Sequence, residues 1–398
     1  MTGRSLKRAL GTFAASLATL AISLAALADG SGPMPRFPIT GAFSAHHDED
    51  RDHISIISFA GNYDKLVTTG GPSNVEPRAV IAREFLRTHP DEYDFIVAFS
   101  TFEFDTGGAR AFHWSVQNKV QGIGLPQFSN ADLFGSPSGK LQGFIDMAAL
   151  SRYKLDAADP EFESALSTLS HEVLHQWAAA VKFRDTNGTP SSALLGKDGA
   201  HWSYLLDSDA SVEYGAKWRD NGDGTFTSIG TRKFFSPLDL YLMGFYKPEE
   251  VPPFLLIDNP AIDKLQLPQE NVTISGTRRM VSVADIIAQE GPRIPDAEHS
   301  QKEFRIAFVL LKGPNQQVTD AQLQRLTELP IEAVWGGLQG KQYQHCFVTG
   351  FHQTQPTAKL VLGDAVSACA TGFTPARMPR RWPIRSEWNG TRPSGSAR

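Results

Sequence analysis

The stretch Leu166–Ala180, LSTLSHEVLHQWAAA, carries two histidines four positions apart, with a glutamate directly after the first. Phe162, Leu166, Leu169, Val173, Trp177 and Ala180 recur at spacings of three and four, which predicts an amphipathic helix with one core-facing stripe. Its start is marked by Asp159 as N-cap, Pro160 at the first helical position, and Glu161 and Glu163 at the positive end of the dipole. Ser164, Thr168, His171, His175 and Ala178 fall on the other face. On this reading the histidines are off the core stripe, among small side chains that leave room for a ligand.

His171-Glu172-x-x-His175 has a specific chemical logic. Positions i and i+4 of a helix project together, so two imidazoles can grip one Zn²⁺ at about 2.0–2.1 Å. Glu172, next round the helix, can reach a water on the metal and take its proton, since zinc lowers that water's pKa toward about 7. The bland alternative is two solvent-facing histidines beside an incidental glutamate. The capped helix, the off-stripe face and the export signal described below weigh for the metal.

On this motif the chain resembles the zincin metallopeptidases, whose active-site helix carries H-E-x-x-H. The resemblance covers Leu166–Ala180 and the β-rich segment before it. It implies a sheet, supplied here by strands between Tyr93 and Met147, whose edge binds extended peptide. The stretch from YDFIVAF to SPLDLYLMGF also looks like a group of uncharacterised secreted bacterial zincin-like proteins.

Catalytic zinc needs a third protein ligand and an open position. The metzincin pattern requires histidine where Val181 stands, which excludes that subgroup. His201, after a glycine-bearing loop that can fold back over the helix, is the first choice on chemistry. Glu213, Asp207 and Asp209 stay open as alternatives. Tyr241 is a candidate oxyanion donor and Asp239 a candidate orienting partner, whereas Met243 reads as core. AHHDEDRDH (Ala45–His53) concentrates histidines and carboxylates that would suit a second cation, but reads more simply as a solvated polar segment. DNGDG (Asp220–Gly224) lacks the later bidentate glutamate of a calcium loop and reads as a hairpin turn. Neither G-x-S-x-G nor a phosphate-binding glycine loop is present.

Around the helix, His53–Asn62, Tyr93–Phe104, Ala109–Asn118 and Leu141–Leu150 read as strands, and Arg78–Pro90 as a helix stopped before Pro90. Ser236–Phe245 reads as a short helix opened by Pro237. VTISGTRRMVSV, EFRIAFVLLK and QYQHCFVTGF read as later strands, and VADIIAQEG and TDAQLQRLTELPIEAVWGGL as helices, the last interrupted near Pro330. The expected fold class is α+β: a zincin-like mixed sheet with the H-E-x-x-H helix in residues 29–250, then a smaller C-terminal α/β subdomain in 251–375.

The ends read differently. Residues 1–28 read as a signal peptide, with Arg4, Lys7 and Arg8, an apolar run, and Ala26-Leu27-Ala28 before the expected cut; an uncleaved membrane anchor is the alternative. The expected location is therefore secreted, extracellular or periplasmic, with no stable membrane insertion after cleavage. Residues 376–398 read as a disordered basic tail, with six arginines against one glutamate, suited to cell-surface association. The net charge of −5 thus hides a more acidic body, which argues against nucleic acid as partner. Two cysteines, Cys346 and Cys369, exclude a thiolate-rich zinc site and permit one disulfide in an oxidising compartment. Asp29–Pro90 has the place of an inhibitory propeptide, with no cysteine to plug a metal. The sequence thus leads to a secreted zinc metalloprotease with a protein or peptide substrate, Glu172 as general base, and His171, His175 and His201 on Zn²⁺. An exported binding or adhesion module with a structural zinc is the main alternative. A zinc hydrolase of a cell-wall amide is the other.

Overall fold

Phe95–Phe99 and Phe144–Leu150, the second broken only by Asp146, are apolar runs, as expected of parallel strands buried on both faces. In the computed structural model they form the middle of a large mixed sheet. The structure describes residues 37, 39–51, 54–155, 161–231, 235–259, 261–327, 333–338, 341–349 and 358–364. The leader, Asp159, Pro160, Cys369 and the basic tail lie outside the described residues.

In chain order, the elements that frame the molecule begin with Ser44–Arg51 (β1), Ile54–Ala60 (β2), Glu76–Thr88 (α1), Phe95–Ser100 (β3), Phe112–Ser115 (β4), Gly143–Ala149 (β5) and Phe162–Leu174 (α2). Trp202–Asp207 (β6), Tyr214–Asp220 (β7), Thr225–Gly230 (β8), Pro237–Met243 (α3), Phe254–Asp258 (β9), Thr273–Ser275 (β10), Thr277–Val281 (β11) and Val283–Glu290 (α4) follow. Glu303–Lys312 (β12), Asp320–Thr327 (α5), Ala333–Leu338 (β13), Lys341–Thr349 (β14) and Ala358–Asp364 (β15) complete them.

The larger sheet runs β13-β14-β15-β12-β3-β5-β4. One edge of β12 is shared: its first residues pair with β15, and Phe308–Lys312 pair with β2, which carries β1 on its outer side. Strands β2, β12, β3 and β5 are parallel, and β4 is the antiparallel edge. The smaller sheet runs β10-β8-β7-β6-β9-β11. With helices against these sheets, the chain is α+β.

Alternation along β3 assigns the faces. Ile96 and Ala98 pack with Ala79, Ala82 and Phe85 of α1 on one side. Phe95, Val97 and Phe99 join Leu169, Val173 and Leu174 of α2, with Trp202 and Tyr204 of the smaller sheet, on the other. Burial of each such Val, Leu or Phe contributes about 1.5–3 kcal/mol, so the core stripe of α2 fixes which of its faces is left for the histidines.

Three expectations are corrected. Helix α2 ends at Leu174, not Ala180: the N–H groups of Gln176 and Trp177 turn back to Val173 and Leu174 with three-residue spacing, and Ala179 takes a left-handed φ of 61°. Trp177 still reaches the core, but from a turn. Ala333–Leu338, read as helical, is a strand paired with β14. The boundary expected near residue 250 is crossed by strand pairing, since β9 pairs with β6 and β12 lies between β2 and β3. Strand pairing across so long a sequence separation has no local signature.

Candidate metal centre

His171 sits in the last turn of α2 and His175 at its C-cap. The chain beyond is tied to the sheet: the Gln176 amide donates to Gln117 O at 2.8 Å, and its carbonyl oxygen meets His113 Nε2 at 3.2 Å. Burial pushes His113 down to about 4, so this contact is made by a neutral imidazole.

His201 immediately precedes β6. A turn through Gly199, at φ 72°, brings it back, and its own carbonyl accepts from the Gly196 N–H at 2.7 Å. Glu213 immediately precedes β7, in a loop where Asp209, Ala210 and Tyr214 all take left-handed φ values of 49°, 63° and 71°. Such conformations cost non-glycine residues roughly 1–2 kcal/mol each and persist where the surroundings over-determine them. Here Ser208 Oγ accepts from Ser211 N and donates to Tyr214 O, while Ser211 Oγ accepts from Glu213 N. Gly215 then lies so close to Ser208 that a Cβ there would collide with its side chain.

Asp239 acts behind this loop. It is fully buried, accepts from Trp202 Nε1 at 2.8 Å and Ser236 N at 2.7 Å, and is held near Ser211. It therefore fixes the residue after His201 and the loop of Glu213, and burial drives its carboxyl above the ordinary range.

These elements place one donor atom from each of His171, His175, His201 and Glu213 within 4.8 Å of the others. The imidazole centroids lie 4.7–5.1 Å apart in the three pairs. Glu213 is fully buried, with its oxygens 3.4 Å from His171 Nδ1 and 3.6 Å from His175 Nδ1. His171 Nδ1 meets Val212 O at 2.7 Å and His201 Nδ1 meets Lys197 O at 3.1 Å. A carbonyl accepts only, so both rings carry their proton on Nδ1 and offer the Nε2 lone pair. Burial pushes His201 down to about 4, and burial with the neighbouring histidines holds His175 well below its ordinary value. The donor set fits a divalent cation: three imidazoles, two of them with Nε2 left free by a carbonyl at Nδ1, and one buried carboxylate.

Glu172 is 4% exposed. Burial, then the charges of Glu213 and Glu172, raise the hydroxyl of Tyr214 to about 12; its ring stacks on His201 at 4.6 Å. Glu172 is buried on α2 directly after His171, and its charge is felt at the Tyr214 hydroxyl. The side chain of His171, 14% exposed, is the most open of the four. Edge strand β4 is buried along all four residues, so its rim is covered.

Other candidates fall elsewhere. Asp209 pairs with Lys217, and Asp207 accepts from Asp209 N; neither joins the cluster. Tyr241 is buried beside Arg293, and Met243 is core. Asp220 and Asp223 accept from N–H groups of their own turn, the tip of the β7–β8 hairpin. Among the described residues a second donor group forms from His47, Asp50 and His89, of which the sequence marked only the first two. No helix of the described residues is long and apolar enough to cross a membrane. Comparison of the chain with protein-family models, curated proteins and solved structures finds no match in any of the three.

Proposed function

We propose that this chain is a secreted zinc-dependent endopeptidase of the zincin type. The observation that carries the reading is the meeting of His171, His175 and His201 from two distant parts of the chain, with buried Glu172 on the same helix as the first two. In this reading Nε2 of His171 and His201, with His175, hold Zn²⁺. Glu213 lies behind His171 and His175 and accepts their charge, as carboxylates behind metal-binding imidazoles do. A zinc ion held there polarises a carbonyl and lowers the pKa of water toward about 7.

The chain's own residues do the rest. Glu172 takes the proton of the attacking water and returns it to the departing amine. Its buried carboxylate sits where solvent competes little for that proton. Tyr214, stacked on His201, keeps the ring plane fixed. Substrate approaches from the side of His171, the most exposed of the imidazoles. The leader-like residues 1–28 support export, and the basic tail suits an acidic cell surface.

The test measures zinc content and casein hydrolysis for the mature chain and Glu172→Gln. Zinc in both, with hydrolysis reduced by about 10²–10⁴-fold in the variant, is expected. A wild-type chain without zinc, or equal hydrolysis by both, overturns the proposal.

The burial of Glu213 against two imidazoles favours one other reading, a structural zinc closed by four protein ligands in a binding module. Glu213→Gln separates the two. An outer partner costs about 10–100-fold in affinity and leaves hydrolysis measurable. A fourth ligand gives zinc loss, in a protein that cleaves no peptide of a library.

A further inference from the structure

Strand β1 reads as a polar edge, yet it is built with a fault that gathers metal-binding groups. Its register with β2 runs from His47↔Ile57 to Glu49↔Ile56, so Asp48 is an extra residue in a β-bulge. In a regular strand His47 and Asp50, three apart, point to opposite faces. The bulge restores them to one face, as their partners Ile57 and Ser55 show. That face lies under α1, whose Glu84 Oε1 accepts from His47 N at 2.7 Å. His89, at the C-cap of α1, stacks on Phe85 at 4.1 Å and points to the same spot.

One donor atom from each of His47, Asp50 and His89 lies within 4.8 Å of the others, within reach of a single ion. His47 Nε2 lies 3.0 Å from Asp50 Oδ1, and His89 Nε2 lies 3.3 Å from Asp50 Oδ2. With bonds of about 2.0–2.1 Å, adjacent donors of a tetrahedral site stand about 3.3 Å apart. His89 supplies the second, independent observation. Its side chain is 2% exposed, and its buried Nε2 has no partner among the described residues but Asp50 Oδ2, 3.3 Å away. Its Nδ1 meets Thr88 Oγ1 and Phe85 O, both at 2.9 Å; the Thr88 hydroxyl donates to Phe85 O, which can only accept, so Nδ1 carries the proton. In the neutral ring the Nε2 lone pair then faces a carboxylate oxygen, acceptor against acceptor, which a cation between them would relieve. The site also lies at the carbonyl end of α1, where positive charge is favoured.

We infer that His47, Asp50 and His89 form a second metal site, for a divalent transition cation of the zinc class, which fastens the edge strand β1 to the C-terminal end of α1. Two imidazoles and one carboxylate are the donor set such ions take. The inference does not depend on what the His171 centre does.

The test strips the full-length mature chain with chelator and titrates it with Co²⁺, read by visible absorption, and with Zn²⁺ by calorimetry. The wild type is expected to bind two equivalents where the His171 centre also fills, and one where it does not. Asp50→Asn and His47→Gln should each bind one fewer than the wild type, and His171→Ala/His175→Ala should keep one. Two equivalents in Asp50→Asn, or one in the wild type that survives Asp50→Asn, overturns the site and leaves Asp50 and His89 as a plain ion pair. If the His171→Ala/His175→Ala chain fails to fold, the wild-type stoichiometry against Asp50→Asn decides alone. His47→Gln, on the outer strand, guards against misfolding of Asp50→Asn.

Discussion

Replacing Asp207 with Asn should make the protein more stable at neutral pH and change nothing in acid. Asp207 ends β6 and accepts from the Asp209 N–H at 3.1 Å, a bond the Asn carbonyl can keep. Burial raises its carboxyl to about 6, with the Asp209 charge adding to the rise and Lys217 opposing it. The unfolded chain titrates near about 3.9, so about two pKa units separate the states, or about 2–3 kcal/mol at 1.36 kcal/mol per unit. The sign follows from which state holds the proton more tightly. The native state does, so the wild type loses stability as pH rises from about 4 to about 6 and stays at that lower level above. Asn carries no such penalty. The variant should therefore match the wild type at pH 4 and exceed it by about 2–3 kcal/mol at pH 8. With unfolding entropy of about 2 cal/mol/K per residue over a chain this long, that is a Tm gain of about 3–4 °C. Calorimetry of both proteins across this range, with metal saturating, cancels the proton dependence of the histidine centre from the difference. A gain independent of pH, or no gain at pH 8, would refute the reasoning.

Trp202→Phe deletes the indole donor to the buried Asp239 carboxylate at 2.8 Å, and chemical denaturation should show a loss of about 2–3 kcal/mol with weakened zinc retention. Leu169→Ala, in the fully buried stripe of α2, should cost about 2–5 kcal/mol in the same assay. Chelation of the wild type should lower Tm, and added Zn²⁺ should restore it in a concentration-dependent way, because the cation binds the folded donor set and not the scattered residues of the unfolded chain; a Tm indifferent to chelator would count against both metal sites.

The parts of this architecture that were legible in the sequence are those with local causes. Pro77 and the apolar spacing of Ala79, Ala82 and Phe85 mark α1. Ser236, Pro237 and Asp239 spell the capped start of α3, and Asn221–Gly224 the turn between β7 and β8. The i, i+4 histidines and His201 could be picked out on chemical grounds, and the structure gathers them with Glu213, which the sequence left among several alternatives. What could not be read was non-local. The approach of Glu213 depends on left-handed residues at 209, 210 and 214, none of them glycine. The polarity of β1 hid a strand, because an edge strand's hydrogen bonds need no apolar side chains. The helix α2 ran on in the pattern because Trp177 is core whether it stands in a helix or a turn.

The position of β12 bears on how the molecule comes into being. Strand β2 reaches β3 only across β12, whose residues 303–312 follow both by two hundred positions or more. Until the ribosome has released that segment, the two early strands share no partner and offer open rims to one another and to other chains. A chain cut before Glu303 should consequently aggregate rather than yield a smaller stable protein. The layer against which α2 packs is also incomplete until then, so the histidine centre matures late in biosynthesis.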